Sequence, residues 1–109
     1  MSENGVHRLV DPRSVERFRS RRLCTIATGT WRDAARLRDI SAAGATLDTN
    51  ARPPLGEAVR LHHPEAGTIE ARVSRHSCKG VGLSFDLGAD AVAFALRAYV
   101  ADMTEQPIG

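Results

Sequence analysis

The chain has 109 residues, enough for one small core and no second lobe, which excludes large multi-domain enzymes. Fifteen Lys+Arg against 13 Asp+Glu leave a formal net charge of +2, too little for a protein that coats long nucleic acid. That mild value hides an asymmetry. Residues 1–22 carry six arginines (8, 13, 17, 19, 21 and 22) against Glu3, Asp11 and Glu16, while residues 23–109 carry nine basic and ten acidic side chains. A basic arm on a nearly neutral body points to an anionic partner. Residues 1–5 lack the basic-then-apolar layout of a signal peptide. The longest apolar run, residues 91–96, is far short of the ~20 residues that span a bilayer. The expectation is a cytoplasmic protein with no membrane partner. Cys24 and Cys78, with no C-x-x-C spacing, are expected to be buried free thiols.

In chain order, residues 1–22 are polar, broken by Pro12, and read as a flexible basic arm with a short helical turn around residues 14–18. Residues 23–28 are short and rich in β-branched side chains, and they end at Gly29: a strand. A second extended stretch covers residues 34–40, followed by a turn at 41–44 and a short strand at 45–47. Pro53 and Pro54 mark residues 50–56 as a loop. Beyond it Val59, Leu61 and His63 alternate with Arg60 and His62. After a turn at 65–67, Ile69, Ala71 and Val73 alternate with Glu70, Arg72 and Ser74. Period two of this kind is a half-buried antiparallel strand. A turn at 77–80 leads to a last strand, 81–85. The chain is therefore expected to be all-β, a small antiparallel barrel or sandwich over residues 23–87. Residues 88–104 change period: Val92, Leu96, Tyr99, Val100 and Met103, at offsets of 0, 4, 7, 8 and 11, lie on one face of an α-helix. Gly88 and Asp90 suit its start, and Pro107 cannot continue it. Such a stripe docks either on the sheet or on another copy of the chain.

Two patterns carry chemistry. Arg17-Phe18-Arg19-Ser20-Arg21 is an R-x-x-x-R followed by Arg22, and Asp39-Ile40-Ser41-Ala42-Ala43-Gly44 is a D-x-S-x-x-G at a strand end. The guanidinium fork matches phosphate oxygens or the O6/N7 edge of guanine, and it stacks on flat bases. Asp39, an acceptor, suits guanine N1–H and N2–H₂, and Ser41 can donate or accept beside it. Gly44 removes a side chain where a backbone turns or a ligand approaches. Together these groups suit a ligand that is both anionic and guanine-bearing. With Arg21 preceding Asp39 by 18 residues and this strand layout, the chain resembles the PilZ domain family over about residues 13–103. The resemblance implies a six-stranded antiparallel PilZ-type β-barrel with an N-terminal arm and a C-terminal helix. It also implies a bacterial receptor for the second messenger cyclic di-GMP that is not an enzyme, uses no cofactor and signals to a downstream protein. Carried over, it implies that Arg17 and Arg21 hold phosphates and guanine edges, that Asp39 and Ser41 read a guanine, and that Gly44 permits the close turn. Arg19 and Arg22 would add phosphate contacts. Arg13 to Arg17 is also an R-x-x-x-R, but the 17/21 register places its second arginine directly before the strand, as in the family.

The arginines also fit a solvated basic tail, Asp39 and Ser41 a turn that satisfies local backbone N–H groups, and Gly44 a bulge with no ligand role. A PilZ-like interaction module without a nucleotide is the main alternative. A single-strand-binding barrel would need more aromatic platforms than the five Trp, Tyr and Phe present. His62 and His63 point to opposite faces of a strand, and His76-x-Cys78 is no ordinary ligand pair, so no metal site is expected.

Overall fold

The computed structural model describes residues 17–105, with side chains to Met103; the expected arm upstream, with the alternative Arg13, lies outside the described residues. Seven strands and a helix follow in order: β1 (Phe18–Arg19), β2 (Leu23–Ala27), β3 (Arg32–Ser41), β4 (Gly44–Asp48), β5 (Ala58–His63), β6 (Gly67–His76), β7 (Gly80–Ser84) and α1 (Ala89–Glu105). The antiparallel order β3-β2-β5-β6-β7-β4 is closed by pairing of β3 with β4, giving a six-stranded barrel with β1 as an extra strand beside β3. Closure removes the free edges that an open six-stranded sheet would present.

The alternation read from the sequence sorts side chains across the barrel wall. On β5, Val59, Leu61 and His63 are buried while Arg60 and His62 face outward. On β6, Ala71 and Val73 go inside with their even-numbered neighbours out. Ile26, Leu37, Ile40, Leu47, Val81 and Leu83 complete the interior. Two irregularities meet on β3. Between the pairs Arg19–Asp39 and Leu23–Arg36, residues 20–22 oppose only Leu37 and Arg38. On the opposite edge, the register with β4 shifts between Leu37 and Asp39. An extra residue in one strand bends it and re-aims its side chains. Here that concerns Arg21, Arg22 and Arg38. Residues 18–19, expected to be loose or helical, are instead a strand, because β3 is ten residues long and outruns β2, leaving its edge open for pairing.

The helix shows another difference. Its docked face is Ala91, Phe94, Ala95, Ala98 and Ala101, packed against β3 and β6. Phe94 stands edge-on to His63 and Phe85, with centroids at 6.2 and 5.9 Å. The larger stripe of Val92, Leu96, Tyr99, Val100 and Met103 is exposed, so it is not the face that docks on the sheet. The helix is apolar nearly all round, and small alanines let it approach the barrel closely. Cys24 is buried as expected, but Cys78 is exposed in the β6–β7 turn; both thiols are free.

Candidate functional site

Where the two bulges meet, the outer surface of β3 and residues 19–22 enclose an open cleft of about 1000 Å³, lined by Arg19, Ser20, Arg21, Arg22, Arg36, Leu37, Arg38, Asp39, Asp48 and Asp102. Antiparallel pairing is what makes it. Ser20 N–H donates to the Arg38 carbonyl and Leu37 N–H to the Arg22 carbonyl, both at 2.9 Å. These bonds hold the arginine-rich segment alongside the strand that carries Asp39. Five guanidinium groups against three carboxylates leave the cleft positive, a suitable lining for a phosphate-bearing ligand.

The residues singled out from sequence divide into two sets. Arg17, Arg21, Arg22 and Asp39 come together at the cleft or its rim. Arg17 Nη1 donates to Asp39 Oδ1 in an ion pair whose side chains are 50% and 31% exposed. A pair this open contributes little to stability and is readily exchanged for contacts to a ligand. Arg21 is exposed, and its carbonyl accepts from Arg36 Nη1 at 2.8 Å, so the backbone is anchored while the guanidinium reaches solvent. Arg22 is more committed: its side chain is 17% exposed, with Nη2 2.7 Å from Glu65 Oε1. Ser41 and Gly44 form the second set and lie inside the wall. Ser41 is fully buried, and its Oγ accepts from Ala43 N–H at 3.0 Å, shaping the β3–β4 turn. A Cβ on Gly44 would run into the Leu83 carbonyl oxygen of β7. These two residues thus build the turn that follows Asp39.

Arg36 and Arg38 were missed in the sequence. Both are exposed on β3, on the face opposite Ala35 and Leu37, and Arg38 Nε lies 3.6 Å from Asp48 Oδ1. The signal was present: strand alternation turns residues 36 and 38 outward together. Only the pairing with residues 19–22 places them beside Arg21.

Two buried titratable groups feel the cleft charges. Burial, opposed by Arg22 and reinforced by Asp102, pushes the Cys24 thiol up to about 12, which leaves it inert as a nucleophile at neutral pH. His63 is held below the usual histidine range by burial first and by Arg22 next, against the opposite pull of Glu65 and Asp102. Its Nδ1 accepts from the Glu65 and Ala66 N–H groups at 3.1 and 3.0 Å. The proton of the neutral ring therefore sits on Nε2, which has no partner among the described residues. Among the described residues no three His, Cys, Asp or Glu side chains gather as metal ligands, and no helix is long and apolar enough to cross a membrane.

Comparison with known proteins adds one finding. The family model for the PilZ domain matches residues 11–102. No curated protein matches the sequence.

Proposed function

The chain belongs to the PilZ domain family, a family of binding modules rather than enzymes, and from that premise we propose that it is a cyclic di-GMP receptor whose binding site is the arginine-lined cleft. The observation that carries the reading is the meeting of Arg17 and Arg21 with Asp39 across the β1–β3 pairing. In this mechanism the phosphates draw the guanidinium groups of Arg17, Arg19 and Arg21. Asp39, released from Arg17, accepts from the N1–H and N2–H₂ edge of a guanine. Ser41 and Gly44 act from beneath by fixing the turn. Arg36 and Arg38 add positive charge on the far wall, and Arg22, already paired with Glu65, steadies the bulge more than it holds ligand. Rearrangement of residues 17–22 is then read by a downstream protein.

Titration calorimetry with cyclic di-GMP tests this. Losing one charge-assisted hydrogen bond costs ~1.5–3 kcal/mol, about 10- to 100-fold in affinity. The wild-type chain should release or absorb heat saturably, and Arg21→Ala should lose 10-fold or more while its circular dichroism is unchanged. Silence from the wild-type chain at millimolar ligand would favour the alternative, a PilZ domain that serves as an interaction module without the nucleotide. The exposed stripe of α1 is the observation that favours that alternative.

A further inference from the structure

Residues 17–22 carry four arginines and one apolar side chain, Phe18. Little else holds the front of this segment on the barrel. β1 is only two residues long, paired as Phe18–Ile40 and Arg19–Asp39, shorter than an ordinary strand. Arg36 and Arg38 on β3 place like charge beside it, and the Arg17–Asp39 ion pair is exposed and therefore weak. Phe18 is the exception. It is half-buried against the core, and its ring stacks on Tyr99 of α1 with centroids 4.3 Å apart and planes at 30°. Arg17 and Arg19 on either side of it are exposed, as alternation along an extended segment dictates.

We propose that Tyr99 is a positioning residue for the cleft: its ring clamps Phe18, and through Phe18 it holds Arg17 and Arg19 where a phosphate-bearing ligand meets them. Tyr99 does not line the cleft itself, but Asp102, three residues on and beside it on the helix, does. One turn of α1 thus meets both the arginine segment and the cleft wall. Phe18 and the flanking guanidinium groups leave the segment on opposite sides, so Arg17 and Arg19 can turn to the ligand while the ring stack persists. Tyr99 raises affinity by preorganisation: the segment is already ordered when ligand arrives, and the ligand need not supply that ordering. The binding half of this proposal rests on the reading of the cleft as a cyclic di-GMP site; the clamp itself does not.

The test compares the full wild-type chain with Tyr99→Ala, with Tyr99→Phe, which keeps the ring, and with Val92→Ala, which trims the same exposed side of α1 about two turns away. Circular dichroism checks that each variant folds. Without ligand, the Ser20 amide, which donates to the Arg38 carbonyl just beyond β1, reports whether the segment stays down. Its hydrogen exchange should quicken about 10-fold in Tyr99→Ala, with β5 amides unchanged, and should return to the wild-type rate in Tyr99→Phe. Calorimetry should show cyclic di-GMP binding weakened by about 2- to 10-fold in Tyr99→Ala and unchanged in the other two variants. Ser20 exchange that is indifferent to Tyr99→Ala, or not restored by Tyr99→Phe, would overturn the clamp. Quicker exchange with equal or tighter binding would overturn the positioning role, since the stack would then be neutral or compete with the ligand. A wild-type chain that gives no heat would instead defeat the receptor reading, and Ser20 exchange would still decide whether Tyr99 holds the arginine segment.

Discussion

Gly44→Ala separates the turn-building role of the D-x-S-x-x-G segment from any ligand contact. Gly44 does not have a positive φ, so alanine is conformationally acceptable there and the cost is steric alone. The obstacle is the Leu83 carbonyl oxygen, a backbone atom in the β4–β7 ladder where Gly44 pairs with Ser84. No rotamer change can relieve it; the strands must move apart at a point that closes the barrel. Overpacking of this kind costs ~1–3 kcal/mol, and a backbone obstacle places the variant near the upper end. At ~4–8 °C per kcal/mol for a domain of this size, the melting temperature should fall by roughly 10–20 °C in a circular-dichroism melt. Gly29→Ala, where an added Cβ meets nothing within 4 Å, is the matched control and should leave the melt within about 2 °C. A Gly44→Ala chain that melts with the wild type would refute the packing argument and return Gly44 to a ligand-only role.

Further outcomes follow from the site and the buried groups. Asp39→Ala should weaken cyclic di-GMP binding by roughly 10- to 100-fold. Its effect on unfolding free energy should be at most ~1 kcal/mol, because the Arg17–Asp39 pair is exposed; a large drop in stability would mean that the pair holds the fold. The lowered pKa of buried His63 makes the unfolded state the better proton binder. Its stability contribution is therefore fully present above the unfolded pKa of ~6.5 and is lost as pH falls below it, with a slope of at most ~1.4 kcal/mol per pH unit. Urea melts of His63→Asn, which keeps an acceptor for the Glu65 and Ala66 N–H groups, should show a flatter acid limb, and an unchanged slope would contradict the assignment. A thiol-exchange reagent should label exposed Cys78 quickly and Cys24 only on unfolding; equal rates would contradict the burial of Cys24.

Much of the barrel was legible because a half-buried strand writes its two faces into alternate residues. Val59-Arg60-Leu61-His62-His63 specifies its own orientation, and both prolines of the β4–β5 loop mark where pairing stops. The meeting of Arg21 with Asp39 was legible through the resemblance, since their spacing suits two antiparallel neighbours. The rest depended on tertiary choices. Pairing of Phe18–Arg19 with β3 follows from how far β3 outruns β2, which propensity does not encode. Docking of α1 by its alanine face was masked because size dominated the reading of period, although Ala91, Ala95 and Ala98 form an equally regular stripe. Ser41 and Gly44 carry the family pattern, yet their burial becomes visible only once β7 lies across the turn. Cys78 followed a general tendency of free cysteines toward burial and met an exposed turn.

If the arginine segment and the Asp39 turn form one ligand site, cyclic di-GMP must be felt at both. Amide NMR shifts recorded while cyclic di-GMP is added to the full-length, isotopically labelled chain test it most directly. Saturable shifts are expected at residues 17–23 and 36–44, reaching Tyr99 through its stack on Phe18, with Trp31 in the distant β2–β3 turn and Arg60 and Thr68 beyond β2 undisturbed. A spectrum unchanged at saturating ligand, or shifts centred on Trp31 and Arg60 instead, would contradict it.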